Sequence, residues 1–165
     1  SLVGSEMCIR DRVNLEELDI NLVYQLSCGS MRTANEILSS DFLKNLNDIK
    51  GLIAGVWPVF VSDSEAIFEK WQKSTKQDPT SVLEDKILII KNWLSDGLVR
   101  YARSRGGSPP AIKDEEKLFE RLINTHGLER SLERLQEVER LVTQSKGLNL
   151  DKKETFFKFI RLLTE

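Results

Sequence analysis

The chain has 165 residues, enough for one mid-sized domain with a core that needs no staples. Its 24 Lys and Arg against 26 Asp and Glu give a formal net charge of -2, so it lacks the basic excess of a free-standing nucleic-acid binder, and direct DNA affinity is expected to be weak. Two cysteines, Cys8 and Cys28, with no CxxC and one histidine, His126, make neither a zinc cluster nor a disulfide framework, which fits a reduced cytoplasmic setting. No apolar run approaches the roughly 20 residues that span a bilayer.

Residues 1–12, SLVGSEMCIRDR, show no period. They closely resemble the peptide obtained by translating a sequencing adapter, and are read as an artefact or a disordered terminus; the chain is then expected to be a fragment of a longer protein. From Asn14 to Leu26 the residues Leu15, Leu18, Leu22, Val23 and Leu26 have helical spacing, and Cys28-Gly29 ends that helix. Ser30 is the expected N-cap of the next, which turns Met31, Ala34, Ile37 and Leu38 inward. A third helix is expected from about Asp41, through Phe42, Leu46, Ile49, Ile53 and Val56, to Trp57-Pro58. Ser62 or Ser64 is expected to cap a helix containing Ala66, Ile67, Phe68 and Trp71, and Ser74 to Pro79 reads as a turn. Val59 to Val61 is too short to assign as a strand. A composition shift between Ser39 and Leu43 marks a domain boundary.

The stretch Ser81 to Arg103 is the organising element. Val82, Leu83, Ile87, Ile90, Trp93, Leu94, Leu98 and Tyr101 recur at steps of three and four, and Leu88, Ile89 and Val99 extend apolar character toward the far side. A stripe that wide suits a helix enclosed by several neighbours. Asp78 and Pro79 suit its start, and Arg100, Arg103 and Arg105, followed by Gly106-Gly107 and Pro109-Pro110, suit its end. After a Gly/Ser/Pro loop, Asp114 begins a helix that breaks at Thr125-His126-Gly127. The next helix, Leu128 to Ser145, carries Leu128, Leu132, Leu135, Val138 and Val142 on one face and charged residues on the other, with Gly147 as the expected C-cap. Asn149 or Asp151 opens a last helix with Phe156, Phe157, Phe159, Ile160 and Leu163. The class is all-α.

Chemistry-bearing constellations are thin. His126 in a helix break reads as a capping or surface residue, and Glu115-Glu116 and Glu129-Glu133 read as solvated helix faces. No catalytic residue, cofactor site or metal site is expected. Trp57, Trp71 and Trp93 sit at helical spacing among aliphatics, which means core packing more readily than a stacking platform. Arg100, Arg103, Arg105 and Lys113 form the only basic concentration and are weak candidates for DNA contact, since a helix C-terminus ordinarily carries such residues.

At Leu22 to Ala34, LVYQLSCGSMRTA, at Trp93 to Gly97, at Gly147 to Leu150 and in the terminal helix, the chain resembles the delta prime subunits of bacterial DNA polymerase III. In that family a Leu-Ser-Gly-Gly-Ser-like turn leads into an arginine-bearing helix at the end of a AAA+ lid, and a helical collar domain follows. Here Cys28 stands in place of one glycine. The resemblance covers nearly everything after Arg12. It implies the end of a AAA+ lid region over residues 13–40 and a helical-bundle collar over residues 41–165. Arg32 matches the position of the ATP-sensing arginine of active relatives; because delta prime subunits are not competent ATPases, the resemblance implies a structural role for it.

The function so implied is that of a non-catalytic scaffold subunit of the clamp loader, within the DNA-directed DNA polymerase, or nucleotidyltransferase, holoenzyme. Its collar would join delta and gamma/tau-type subunits in a ring that supports sliding-clamp loading in DNA replication, meeting DNA only indirectly, through the complex. The expected interface residues are the crowded apolar ones of the central and terminal helices: Trp93, Leu94, Leu98, Tyr101, Phe156, Phe157 and Ile160. The alternative is an all-α DNA- or protein-binding module unrelated to replication. An enzyme reading, nucleotide hydrolysis, rests on Arg32 alone.

Overall fold

The structure, a computed structural model, describes residues 31–38, 40–77, 82–104 and 114–165. The expected helix at Asn14 to Leu26, the Cys28-Gly29 turn, the caps at Ser30, Asp78 and Pro79, and the Gly106 to Pro110 loop lie outside the described residues. What is described is α-helical, without a strand: α1 (Met31–Leu38), α2 (Ser40–Ala54), α3 (Val61–Gln77), α4 (Leu83–Ser104), α5 (Glu115–His126), α6 (Leu128–Leu148) and α7 (Lys152–Thr164). None of these helices is long and apolar enough to cross a membrane.

The long helix α4 packs against α2, α3, α5 and α6, and α7 lies against α2, α3 and α6. The centre of the wide apolar stripe of α4 is fully buried, while Leu88, Val99 and Tyr101 at its margins are partly so. Leu83, Ile87, Ile90, Trp93, Leu94 and Leu98 are all buried within 1% of complete exclusion from water, in one cluster with Ile49, Ile53, Val138, Val142 and Phe156. Ala34 and Ile37 of α1 join that same cluster.

Several helix ends differ from expectation, each for a local reason. Helix α2 stops at Ala54, before Trp57, because side chains take over its last carbonyls: Arg121 Nη1 donates to the carbonyls of Ile53 and Gly55, both at 2.6 Å, and the Trp57 indole donates to Leu52 O at 3.1 Å. Helix α3 uses no serine cap. Its first turn closes on the Phe60 carbonyl, which accepts from the amides of Asp63 and Ser64. The stretch Ser74 to Gln77 continues that helix instead of turning, since no glycine or proline intervenes before Pro79. Gly147 stays inside α6, and Asn149 takes the left-handed C-cap position with φ 51°, which a short polar side chain tolerates. Asp151, one of the two expected openers of α7, is its N-cap, with its carboxylate accepting from the amides of Lys153 and Glu154. The break at Gly127 has φ 80°, a backbone angle that glycine adopts without strain.

Two buried carboxylates tie the bundle together. Glu115, expected on a solvated face, is instead buried: its Oε2 accepts from the Trp93 indole at 3.1 Å and its Oε1 from Arg100 at 3.3 Å. Glu84 accepts from Ser145 Oγ at 3.3 Å, while Thr155 donates to that same hydroxyl at 3.2 Å, so α4, α6 and α7 share one polar contact inside the core.

Candidate functional site

Interface residues expected from the sequence are, for the most part, consumed by the fold. Trp93, Leu94, Leu98 and Phe156 lie in the chain's own core and offer no surface to a partner, and Ile160 keeps only 2% of its surface, which corrects the expectation for these five. The reason is enclosure: α4 has neighbours on all its apolar sides, and Phe156 packs edge-on against Trp71 with centroids 5.1 Å apart. Tyr101 and Phe157 keep part of their surface and pack against the core from outside.

Large apolar side chains that face solvent lie elsewhere, at Leu148 and Leu150 around the end of α6, at Met31, and in a group at the connection from α2 into the start of α3. Val56 is 74% exposed, and Phe60 and Val61 are each 67% exposed. The sequence places Val56 at helical spacing after Ile49 and Ile53, but the helix stops at Ala54 and leaves it in the connection, while Phe60 and Val61 fall in and beside a stretch too short to assign. This connection is held firmly. The Arg121 guanidinium that caps α2 also sits 4.2 Å from the Trp57 ring centroid, and the other pairing of that indole is a parallel stack on His126 at 5.6 Å. Beside the exposed trio a depression of about 270 Å³ runs between Val59, Val61 and Ser64 on one side and Phe157, Ile160 and Thr164 on the other. Fixed apolar side chains next to a concave surface are what a protein partner uses as anchor points.

A second concave feature lies between α6 and α7, about 630 Å³ in volume. On α6 the lining residues Arg130, Arg134, Glu137, Leu141 and Gln144 follow helical spacing, so they form one stripe along that helix. Lys158, Arg161, Leu162 and Glu165 do the same on α7. Some of these charges are already paired, Arg130 with Glu133 at 3.8 Å and Arg140 with Glu137 at 3.4 Å. Arg134 donates to the Leu162 carbonyl at 3.5 Å. Burial holds its pKa below the usual arginine range, the neighbouring Arg130 adds to this, and Glu165 opposes it.

His126 is held below its ordinary pKa first by burial and then by the positive charges of Arg134 and Arg130. With its ring stacked on Trp57, it serves as a packing residue. Among the described residues no group of three or more His, Cys, Asp or Glu side chains could hold a metal ion.

The basic cluster is only partly described. Arg100 is neutralised by the buried Glu115, Arg103 is exposed, and Arg105 and Lys113 lie outside the described residues. Arg32 belongs to α1, and its side chain is likewise outside what is described. Comparison with protein families, with curated proteins and with solved structures finds no match to this chain.

Proposed function

We propose that this chain is a non-catalytic protein-interaction module, and that it serves as the collar-bearing part of a delta prime-like subunit in a bacterial, cytoplasmic clamp loader. The observation that carries the interaction reading is the trio Val56, Phe60 and Val61, largely exposed on the connection into α3, whose α2 end is pinned by Arg121 and Trp57. The clamp-loader reading is supported by the motifs LVYQLSCGSMRTA and WLSDGL. In this reading delta and gamma/tau-type subunits bind the collar, and the assembly, not this chain, engages DNA.

The test is assembly. The chain, mixed with delta and gamma/tau-type subunits, is expected to co-elute with them in size-exclusion chromatography, whereas separate elution at micromolar concentration counts against the clamp-loader partners. A flat nucleotide titration is expected alongside, and saturable ATP binding by the chain would revive the enzyme reading built on Arg32.

A further inference from the structure

The groove between α6 and α7 plays no part in that reading so far, and its chemistry differs from that of the exposed trio. Its stripe on α6 runs from Arg130 to Gln144, a rise of about 21 Å at 1.5 Å per residue. That length exceeds what an isolated phosphate or carboxylate fills. Leu141 and Leu162, both half-buried, give it an apolar floor.

The charges of the groove are unevenly satisfied. Arg130 and Arg140 have carboxylates within their own helix, and Lys158 has Glu154 at 3.4 Å. Arg134 and Arg161 have no such ion pair among the described residues; Arg134 uses one of its five N–H donors on the Leu162 carbonyl and keeps the others. Glu133, Glu137 and Glu165 line the same groove, so a continuous polyanion such as a DNA strand meets repulsion along its length. A ligand whose carboxylates fall only beside Arg134 and Arg161 avoids it.

We propose that the groove between α6 and α7 is a docking site for an amphipathic helix of a partner protein, one that lays apolar residues over Leu141 and Leu162 and presents carboxylates to Arg134 and Arg161. The match is one of charge complementarity along a seat of helical length, the mode in which an amphipathic helix occupies a groove. It deepens the interaction-module reading by naming the chemistry of a partner, and it rests on that reading only in assuming a protein ligand. His126 is a built-in reporter. It is the single histidine of the chain, and its pKa is held down first by burial and then by the charges of Arg134 and Arg130, so an acidic ligand seated beside those arginines offsets the second of these causes.

The experiment titrates the full chain with a fluorescent synthetic helical peptide about five turns long, bearing a leucine stripe flanked by glutamates, and with the same peptide carrying lysines instead. The acidic peptide is expected to bind saturably, more weakly at high salt, and to raise the His126 pKa followed by NMR of its ring protons. Arg134→Gln and Arg161→Gln are each expected to weaken binding roughly two- to fivefold, as for a solvent-accessible charge pair. Equal binding of the acidic and basic peptides overturns the proposal with the wild-type chain alone, whatever the variants do. So does Arg134-dependent binding of duplex DNA in preference to the acidic peptide. Absence of acidic-peptide binding, in a preparation that still assembles with clamp-loader subunits, overturns the groove proposal and leaves the interaction-module reading standing.

Discussion

The ring of Phe119 occupies the space that a Cβ on Gly97 would fill. Helices α4 and α5 therefore approach closely at this point, and both residues are buried there. Phe119 has little freedom to yield, because its ring also packs on Trp93 at 5.7 Å and on Tyr101 at 6.5 Å.

Two effects compete in Gly97→Ala. Alanine in a helix interior gains about 1 kcal/mol over glycine, while overpacking a rigid core costs roughly 1 to 3 kcal/mol. The overlap falls on the ring itself, so overpacking wins. A net loss of up to about 2 kcal/mol is expected by urea denaturation, and Phe119→Leu in the same background is expected to recover part of it. A gain in stability for Gly97→Ala would show that the helices are farther apart.

Glu115 links the same two helices through polar groups. Glu115→Ala leaves the Trp93 indole N–H, fully enclosed, without its acceptor and Arg100 without its carboxylate. The expected cost is about 2 to 3 kcal/mol, below that of a fully buried ion pair because the Arg100 side chain is 31% exposed. Glu115→Gln keeps an acceptor for the indole and is expected to cost roughly half as much. Equal losses in the two variants would mean that the arginine pairing alone matters.

Arg121 replaces the missing end of α2. Arg121→Ala removes both bonds to the Ile53 and Gly55 carbonyls and the stack on Trp57, for an expected loss of about 2 kcal/mol. Lysine is a poor substitute, since an ammonium lacks the planar fork and the stacking face. Amide exchange in the Val56 to Val61 loop is expected to rise in Arg121→Lys more than anywhere in α4.

The lowered His126 pKa sets the sign of a pH dependence. In the unfolded chain His126 titrates near its ordinary 6.5, and in the native state it stays neutral to lower pH. Between the two values the unfolded state binds more protons, so this contribution to stability is complete above pH 6.5 and is lost as pH falls from there toward the native value. Thermal melts of wild type and His126→Gln are expected to diverge on going from pH 7.5 to pH 5.5, with the wild type losing more. Parallel losses would place the effect on other groups.

Helical periodicity carried the fold. The α4 stripe from Leu83 to Leu98 was legible because aliphatic residues at steps of three and four leave a helix one way to bury them. The same legibility misled the choice of surface. Trp93 and Phe156 look like anchors on a bare helix, and only the positions of α2, α3 and α6 around them show that nothing is left to expose. Glu115 is the converse, a charged residue whose partner Trp93 is 22 positions away, beyond the reach of any local pattern. Val56 reads as the next inward position after Ile53, and its exposure follows from α2 ending at Ala54, an end that Arg121 holds across 68 positions of sequence; Phe60 and Val61 have no period to mark them.

In the proposed function, Val56, Phe60 and Val61 form a partner-binding surface that the fold itself does not need. The direct measurement is the affinity of the Phe60→Asp, Val61→Asp double variant for delta and gamma/tau-type subunits, set beside its urea midpoint. Both side chains are mostly solvated, so stability is expected to change by no more than about 0.5 kcal/mol per site, while binding falls at least about tenfold, as for the loss of an interface anchor. Unchanged binding in a folded variant would contradict the account and remove this surface from the function of the chain.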